Sequence, residues 1–200
     1  MRLTKYFHSC FLFEEGTDKI LFDPGIFCFL EGRVNPAVFT GLQAIFITHS
    51  HPDHVDTAAL KIIIDNNPGA LIYTNTNVQK VLNQESIACT IFEEGEKIVE
   101  SLRVRAIPAA HQPLLAPVPQ NTAFLVNELF LTAGDSINQS LHAFSGTQVL
   151  ALPILAPWAN VRPVATFLEA MKPATAIPAH DGFVIDQFRD RQHRAWESYA

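Results

Sequence analysis

The stretch Ile47-Thr48-His49-Ser50-His51-Pro52-Asp53-His54 packs three imidazoles and a carboxylate into an H-x-H-x-D-H pattern. Neutral imidazole and carboxylate are ligands for zinc and similar divalent cations. In an irregular loop, residues two apart can point the same way. His49 and His51 could therefore share one ion, and Asp53 and His54 could face a second. The chain carries eight His, and random placement yields this pattern roughly once in 2,000 such chains. The chemistry on offer is that of bound divalent cations, which can polarise a substrate oxygen or activate a water.

One loop cannot complete two such sites, and three further residues sit in comparable settings. His111 lies in Pro108-Ala109-Ala110-His111, after the apolar run Arg103–Ile107. Asp135 lies in Thr132-Ala133-Gly134-Asp135, after Leu129–Leu131. His180 lies in Pro178-Ala179-His180-Asp181, after Ala174–Pro178. Each follows the end of an apolar run, as the His49 loop follows Ala44–Thr48. Several strands ending at one edge would bring these residues together.

The elements that must do this positioning are legible as alternating signals. Phe7–Phe13 and Lys19–Phe22 read as paired strands, and Ala44–Thr48 as a buried strand. Apolar spacing predicts a helix over Thr57–Asn66, with Asp56 as its cap. Ala70–Tyr73 reads as a strand and Asn77–Gln84 as a helix. Ile87–Phe92, Lys97–Val99, Arg103–Ile107, Thr122–Val126 and Leu129–Leu131 read as strands, with a tight hairpin at Asn127-Glu128. Gln148–Pro153 and Ala174–Pro178 complete the strands. Val161–Met171 and Asp186–Ser198 read as helices. Hairpins mixed with strand–helix–strand units imply a layered α/β or α+β sandwich, and 1–200 reads as a single domain.

Composition bounds the function. The chain has 200 residues, 48% of them hydrophobic and 17% charged, with a mean hydropathy of +0.13. A packed core follows and disorder is excluded. Fourteen basic against 20 acidic residues give a net charge of −6, so no nucleic-acid footprint is expected. Cys10, Cys28 and Cys89 form no pair motif, which argues for reduced thiols. No signal-peptide core follows Met1, and no run reaches the roughly 18 apolar residues of a membrane helix. The expectation is a cytoplasmic protein acting on a small-molecule substrate, without membrane attachment. Association with further copies of itself is left open.

The set His49, His51, Asp53, His54, His111, Asp135 and His180 resembles the ligand set of the metallo-β-lactamase superfamily of hydrolases. The resemblance implies a four-layer αββα sandwich and two divalent ions, zinc first, with manganese or iron as alternatives. It implies that His49, His51 and His111 hold the first ion, that Asp53, His54 and His180 hold the second, and that Asp135 bridges them. Asp53 is also the candidate to orient the water and handle its proton. Phe22-Asp23-Pro24-Gly25 resembles the family's N-terminal Asp motif, which gives Asp23 a supporting hydrogen-bond role. His8 and Trp158 are further candidates near the ions or the substrate.

Within the superfamily, His8-Ser9-Cys10-Phe11-Leu12, Leu152-Pro153-Ile154 and Pro178-Ala179-His180 resemble the small ascorbate-6-phosphate lactonase-like branch. Leu155-Ala156-Pro157-Trp158-Ala159-Asn160 departs from that branch, where a Gly-Gly and a Thr-Met often follow. The substrate classes implied are a small ester, lactone, thioester or phosphodiester. The alternatives on the same fold are a mononuclear-iron dioxygenase and a non-catalytic metal-binding or sensing protein.

Overall fold

The computed structural model describes residues 1–199. Its strands form two six-stranded sheets. The first holds β1 (Arg2–Phe7), β2 (Cys10–Glu15), β3 (Asp18–Phe22), β4 (Ala44–Phe46), β5 (Leu71–Thr74) and β6 (Thr90–Ile91), in that order. The second holds β7 (Gly95–Val99), β8 (Leu102–Pro108), β9 (Thr122–Val126), β10 (Phe130–Thr132), β11 (Val149–Pro153) and β12 (Thr175–Ala179), again in chain order across the sheet. The helices are the short α1 (Ile26–Phe29), α2 (Thr57–Asn66), α3 (Thr76–Gln84), α4 (Val161–Met171) and α5 (Asp186–Tyr199).

Side-chain alternation along each strand builds the layers. Phe11, Phe13, Phe22 and Phe46 point inward and meet Phe124 and Phe130 of the second sheet. The Phe46 and Phe124 rings lie 5.1 Å apart, and those of Phe22 and Phe130 lie 5.6 Å apart. Burying one such ring stabilises by about 1.5–3 kcal/mol, so this aromatic seam is a main adhesive between the sheets. The other faces are equally apolar. Leu12, Leu21 and Ile45 pack with Leu60 and Ile63 of α2 and Val78 and Leu82 of α3. Leu125, Leu131 and Leu150 pack with Phe167 and Met171 of α4 and Trp196 of α5. The result is helices, sheet, sheet, helices. It explains why the central strands are apolar on both faces, as β9 and β11 are throughout.

The expected strand Phe7–Phe13 is corrected. It breaks at His8-Ser9, where β1 turns into β2. His8 sits there at a φ of 55°, a left-handed turn without the usual Gly or Asn signal. Edge strand β1 itself was not anticipated, because Arg2, Thr4 and Lys5 dilute its apolar pattern. The expected strand Ile87–Phe92 shrinks to β6, with Ile87 instead packed in the helix-side core. The Asn127-Glu128 hairpin is present, both residues at positive φ, as a primed turn requires. Asp56 caps α2 by accepting from the Ala58 and Ala59 N–H groups.

Strand direction then decides where the loops meet. β3, β4 and β5 are parallel, and β1 runs with them because β2 opposes both its neighbours. β8 and β10 run together by the same logic, and β10, β11 and β12 are parallel. The C-terminal ends of β1, β3, β4, β8, β10 and β12 all carry the residues singled out above.

Candidate metal centre

Two groups of side chains converge at this edge. His49, His51, His111 and Asp135 offer ligand atoms within 4.8 Å of one another, as do His8, Asp53, His54 and His180. Asp135 joins the two. Its Oδ1 is 3.2 Å from His54 Nε2 and 3.1 Å from His180 Nε2. Its Oδ2 is 3.3 Å from His111 Nε2 and 3.9 Å from His49 Nε2. Both strand ends that carry Asp135 and His180 lie in the second sheet, while His49 to His54 come from the first.

The donor set fits cations. His54 Nε2, Asp135 Oδ1 and His180 Nε2 are buried polar atoms without a hydrogen-bond partner, which is costly unless a charge satisfies them. The opposite ring nitrogens are all committed. His111 Nδ1 donates to the Gln112 carbonyl at 2.6 Å, and His180 Nδ1 to the Leu155 carbonyl at 2.7 Å. His54 Nδ1 donates to Asp23 Oδ2 at 2.9 Å. His49 Nδ1 meets Thr48 Oγ1 at 3.0 Å, and that hydroxyl donates to Asp23 Oδ2 at 2.9 Å. With Nδ1 protonated, each of these four rings turns a lone pair on Nε2 inward, the tautomer a cation needs.

Asp23 is the hub of this support. Fully buried, it also accepts the Thr48 N–H on Oδ1 at 2.7 Å. Gly25 permits the loop to close over it. A Cβ there would fall 1.9 Å from the Asp53 carbonyl oxygen. Trp158 donates its indole N–H to Asp135 Oδ2 at 3.1 Å. The divergent loop therefore touches the centre through an aromatic ring, 6.4 Å from that of His111 and 5.9 Å from that of His180. His8 packs its ring 4.4 Å from His180 and its Nε2 3.1 Å from Asp53 Oδ2.

The electrostatics follow from burial and crowding. Burial pushes His49 well below the usual range, and neighbouring His54 adds to this. Burial also lowers His51, with His111 contributing. Burial opposes the charged form of His180, yet Asp135 and Asp53 raise it to about 9. Burial works against Asp53 as well, but hydrogen bonds from His180 and His8 hold it below the ordinary carboxylate range. Asp135 is likewise held ionised, by His180, His49 and His54.

Three supporting residues carry no motif. Thr48 Oγ1 donates to Asp23 and lies beside the Nδ1 atoms of both His49 and His54. Asn121 donates to the Ala109 and Ala133 carbonyls at 3.0 Å each and accepts the Asp135 N–H at 3.1 Å. Asn75 ties the Thr48 carbonyl at 2.8 Å. Asp181 turns away from the centre, and Lys5 and His193 pair with it at 2.5 and 2.8 Å.

Residues 2–180 match the Beta-lactamase superfamily domain. Protein Rv0786c of Mycobacterium tuberculosis is 33% identical over 201 residues, 94% of this chain and 88% of that protein. A UPF0173 metal-dependent hydrolase of Alkaliphilus metalliredigens is 31% identical over 113 residues, 56% of this chain and 48% of that protein. Among solved structures, a candidate metal-dependent hydrolase of Parabacteroides distasonis superposes with a TM-score of 0.76 at 19% identity, covering 95% of this chain and 86% of that one. The layered fold and its His/Asp edge thus define a metal-site protein of the β-lactamase type. The chain belongs to the β-lactamase superfamily.

Proposed function

We propose that this protein is a metal-dependent hydrolase of a small acyl substrate: an ester, a lactone or a thioester. The observation that carries this is the junction at Asp135, whose two oxygens face two groups of inward Nε2 and carboxylate atoms. His49, His51 and His111 would hold one divalent ion, and Asp53, His54 and His180 the other, with Asp135 between them. Zinc suits this donor set best. Two such ions would bring the pKa of a shared water toward about 7 and polarise the scissile carbonyl.

The chain's own residues supply the rest. Asp53 is kept ionised and remains partly solvent-facing, with 12% of its side chain exposed against 3% for Asp135. Its partly exposed edge makes it the carboxylate placed to orient the water by accepting its hydrogen bond. Trp158 closes over the Asp135 side of the centre. The resemblance of His8-Ser9-Cys10-Phe11-Leu12 and Pro178-Ala179-His180 to the lactonase-like branch favours a carbonyl substrate over a phosphodiester. Two equally furnished groups favour a binuclear centre over a mononuclear oxygenase.

The test is turnover of p-nitrophenyl acetate, a γ-lactone, an acyl thioester and bis(p-nitrophenyl) phosphate, with metal content measured on the same preparation. Acyl cleavage that needs both His51 and Asp53, at about two ions per chain, is the expected result. Faster cleavage of the phosphodiester overturns the substrate class, and full activity of Asp53→Ala overturns the mechanism.

A further inference from the structure

His8 lies in one of the two His/Asp groups, so distance alone would make it a fourth ligand beside Asp53, His54 and His180. Its hydrogen bonds say otherwise. The Gly182 backbone N–H donates to His8 Nδ1 at 2.8 Å. An N–H donor at Nδ1 requires a lone pair there. A doubly protonated ring is thereby excluded, and the proton of the neutral ring sits on Nε2. That is the reverse of His54, His111 and His180, each of which donates from Nδ1 to an oxygen. His8 Nε2–H instead points at Asp53 Oδ2, 3.1 Å away.

We propose that His8 is a positioning residue: its Nε2–H donates to Asp53 Oδ2 and fixes that carboxylate for the ion it shares with His54 and His180. This rests on the metal-centre reading above.

The surroundings are built for the inverted ring. His8 occupies the β1–β2 turn at a φ of 55° and is 1% exposed. Phe27 and Phe183 flank its ring at 5.0 and 5.2 Å. Gly182 lets the backbone come close enough to donate, since a Cβ there would stand 2.8 Å from His8 Nδ1. The donor to Nδ1 thus comes from the segment that carries His180, while the acceptor for Nε2–H comes from the His49 loop. One imidazole bridges two ligand-bearing loops from opposite sheets.

Two measurements test this. The first is the ring tautomer of His8 in the ¹⁵N-labelled wild-type protein near pH 7, read from long-range ¹H–¹⁵N couplings. An Nε2–H tautomer is expected, and an Nδ1–H or doubly protonated ring overturns the proposal. This readout needs neither metal nor substrate, so it stands even if the hydrolase reading fails. The second compares zinc uptake by the wild type, His8→Phe and His8→Gln. Phenylalanine keeps the aromatic packing and removes the donor; glutamine restores a side-chain N–H. His8→Phe should bind as many ions as the wild type, one of them about 10–100-fold more weakly, with partial recovery in His8→Gln. Loss of one whole equivalent in His8→Phe, or unchanged affinity at both sites, overturns it. If His8→Phe does not fold, the tautomer measurement decides. Wild-type protein that takes up two ions but cleaves no acyl substrate would overturn the proposed reaction and leave the His8 assignment standing.

Discussion

Asp23 never faces the ligand atoms, yet the direction of two imidazoles depends on it. It accepts from the His54 ring, the Thr48 hydroxyl and the Thr48 N–H, all fully buried. Asp23→Ala leaves these donors in the interior without a partner, at about 1–3 kcal/mol each. Urea unfolding should show a loss of roughly 3 kcal/mol or more, and zinc affinity should fall about 10–100-fold. Wild-type affinity in this variant would mean that His54 is oriented by something else. His180 carries a pH signature. Burial opposes its protonation, but Asp135 and Asp53 raise it to about 9. A folded-state pKa above the ordinary His value stabilises most below about pH 6.5 and fades as pH rises through the folded value. Chelator-treated protein should therefore lose thermal stability between pH 6.5 and 9.5. Zinc-loaded protein should trend the other way, because ligands bind deprotonated. A chelated protein with flat stability across that range would refute the charge pairing. At this scale the sequence was most informative: the seven residues with ligand-type side chains all lie where the loops meet. Thr48, Asn75 and Asn121 were illegible because their partners are distant backbone groups, which no local pattern encodes.

Among the elements, the junction of β3 with α1 is the tightest constraint on the His49 loop. The Ile26 N–H donates to the Pro52 carbonyl and the Asp56 N–H to the Pro24 carbonyl, each at 2.9 Å. Asp56 then caps α2, so the loop is anchored at both ends. Gly25 sits where these segments touch. Gly25→Ala places a Cβ 1.9 Å from the Asp53 carbonyl oxygen and 2.5 Å from the His54 nitrogen. Backbone must shift, and the two candidate ligand residues Asp53 and His54 shift with it. Metal content of the purified variant should fall to about half or less, and stability by about 2 kcal/mol or more; full occupancy would show that the loop yields elsewhere. Helix α2 and its cap were readable because spacing and cap chemistry agree. The β1–β2 turn was not, since a left-handed His carries no turn signal and an edge strand exposed on one side lacks a continuous apolar run.

For the whole molecule, no helix among the described residues is long and apolar enough to cross a membrane. Cohesion comes from the aromatic seam and, at one edge, from side chains of both sheets that converge on the candidate metal centre. Cations binding only the folded form stabilise it by mass action, about 2.7 kcal/mol at a hundredfold excess over Kd. With about 2–4 °C per kcal/mol for a chain of this size, chelation should lower Tm by roughly 5–10 °C per site. Differential scanning calorimetry before and after chelation measures it, and an unchanged Tm would argue against tight binding to the native state. The layered class was legible from alternating strands and helices. The pairing order was not, because register between strands far apart in sequence is decided by packing.

That pairing order has one more consequence. The first sheet is drawn wholly from β1–β6, ending at Ile91, and the second wholly from β7–β12, beginning at Gly95. The chain crosses between them a single time, at Phe92–Glu94. Cut there, it divides into two fragments, each holding one whole sheet, one with His49, His51, Asp53 and His54, the other with His111, Asp135 and His180. Neither fragment holds all of the candidate ligand residues, so under the proposed metal reading zinc should add to the seam's hold between them. Co-expressed fragments 1–93 and 94–200 should co-purify through the aromatic seam, and chelation should weaken that association measurably, making a hydrolase scaffold a metal-tuned split protein.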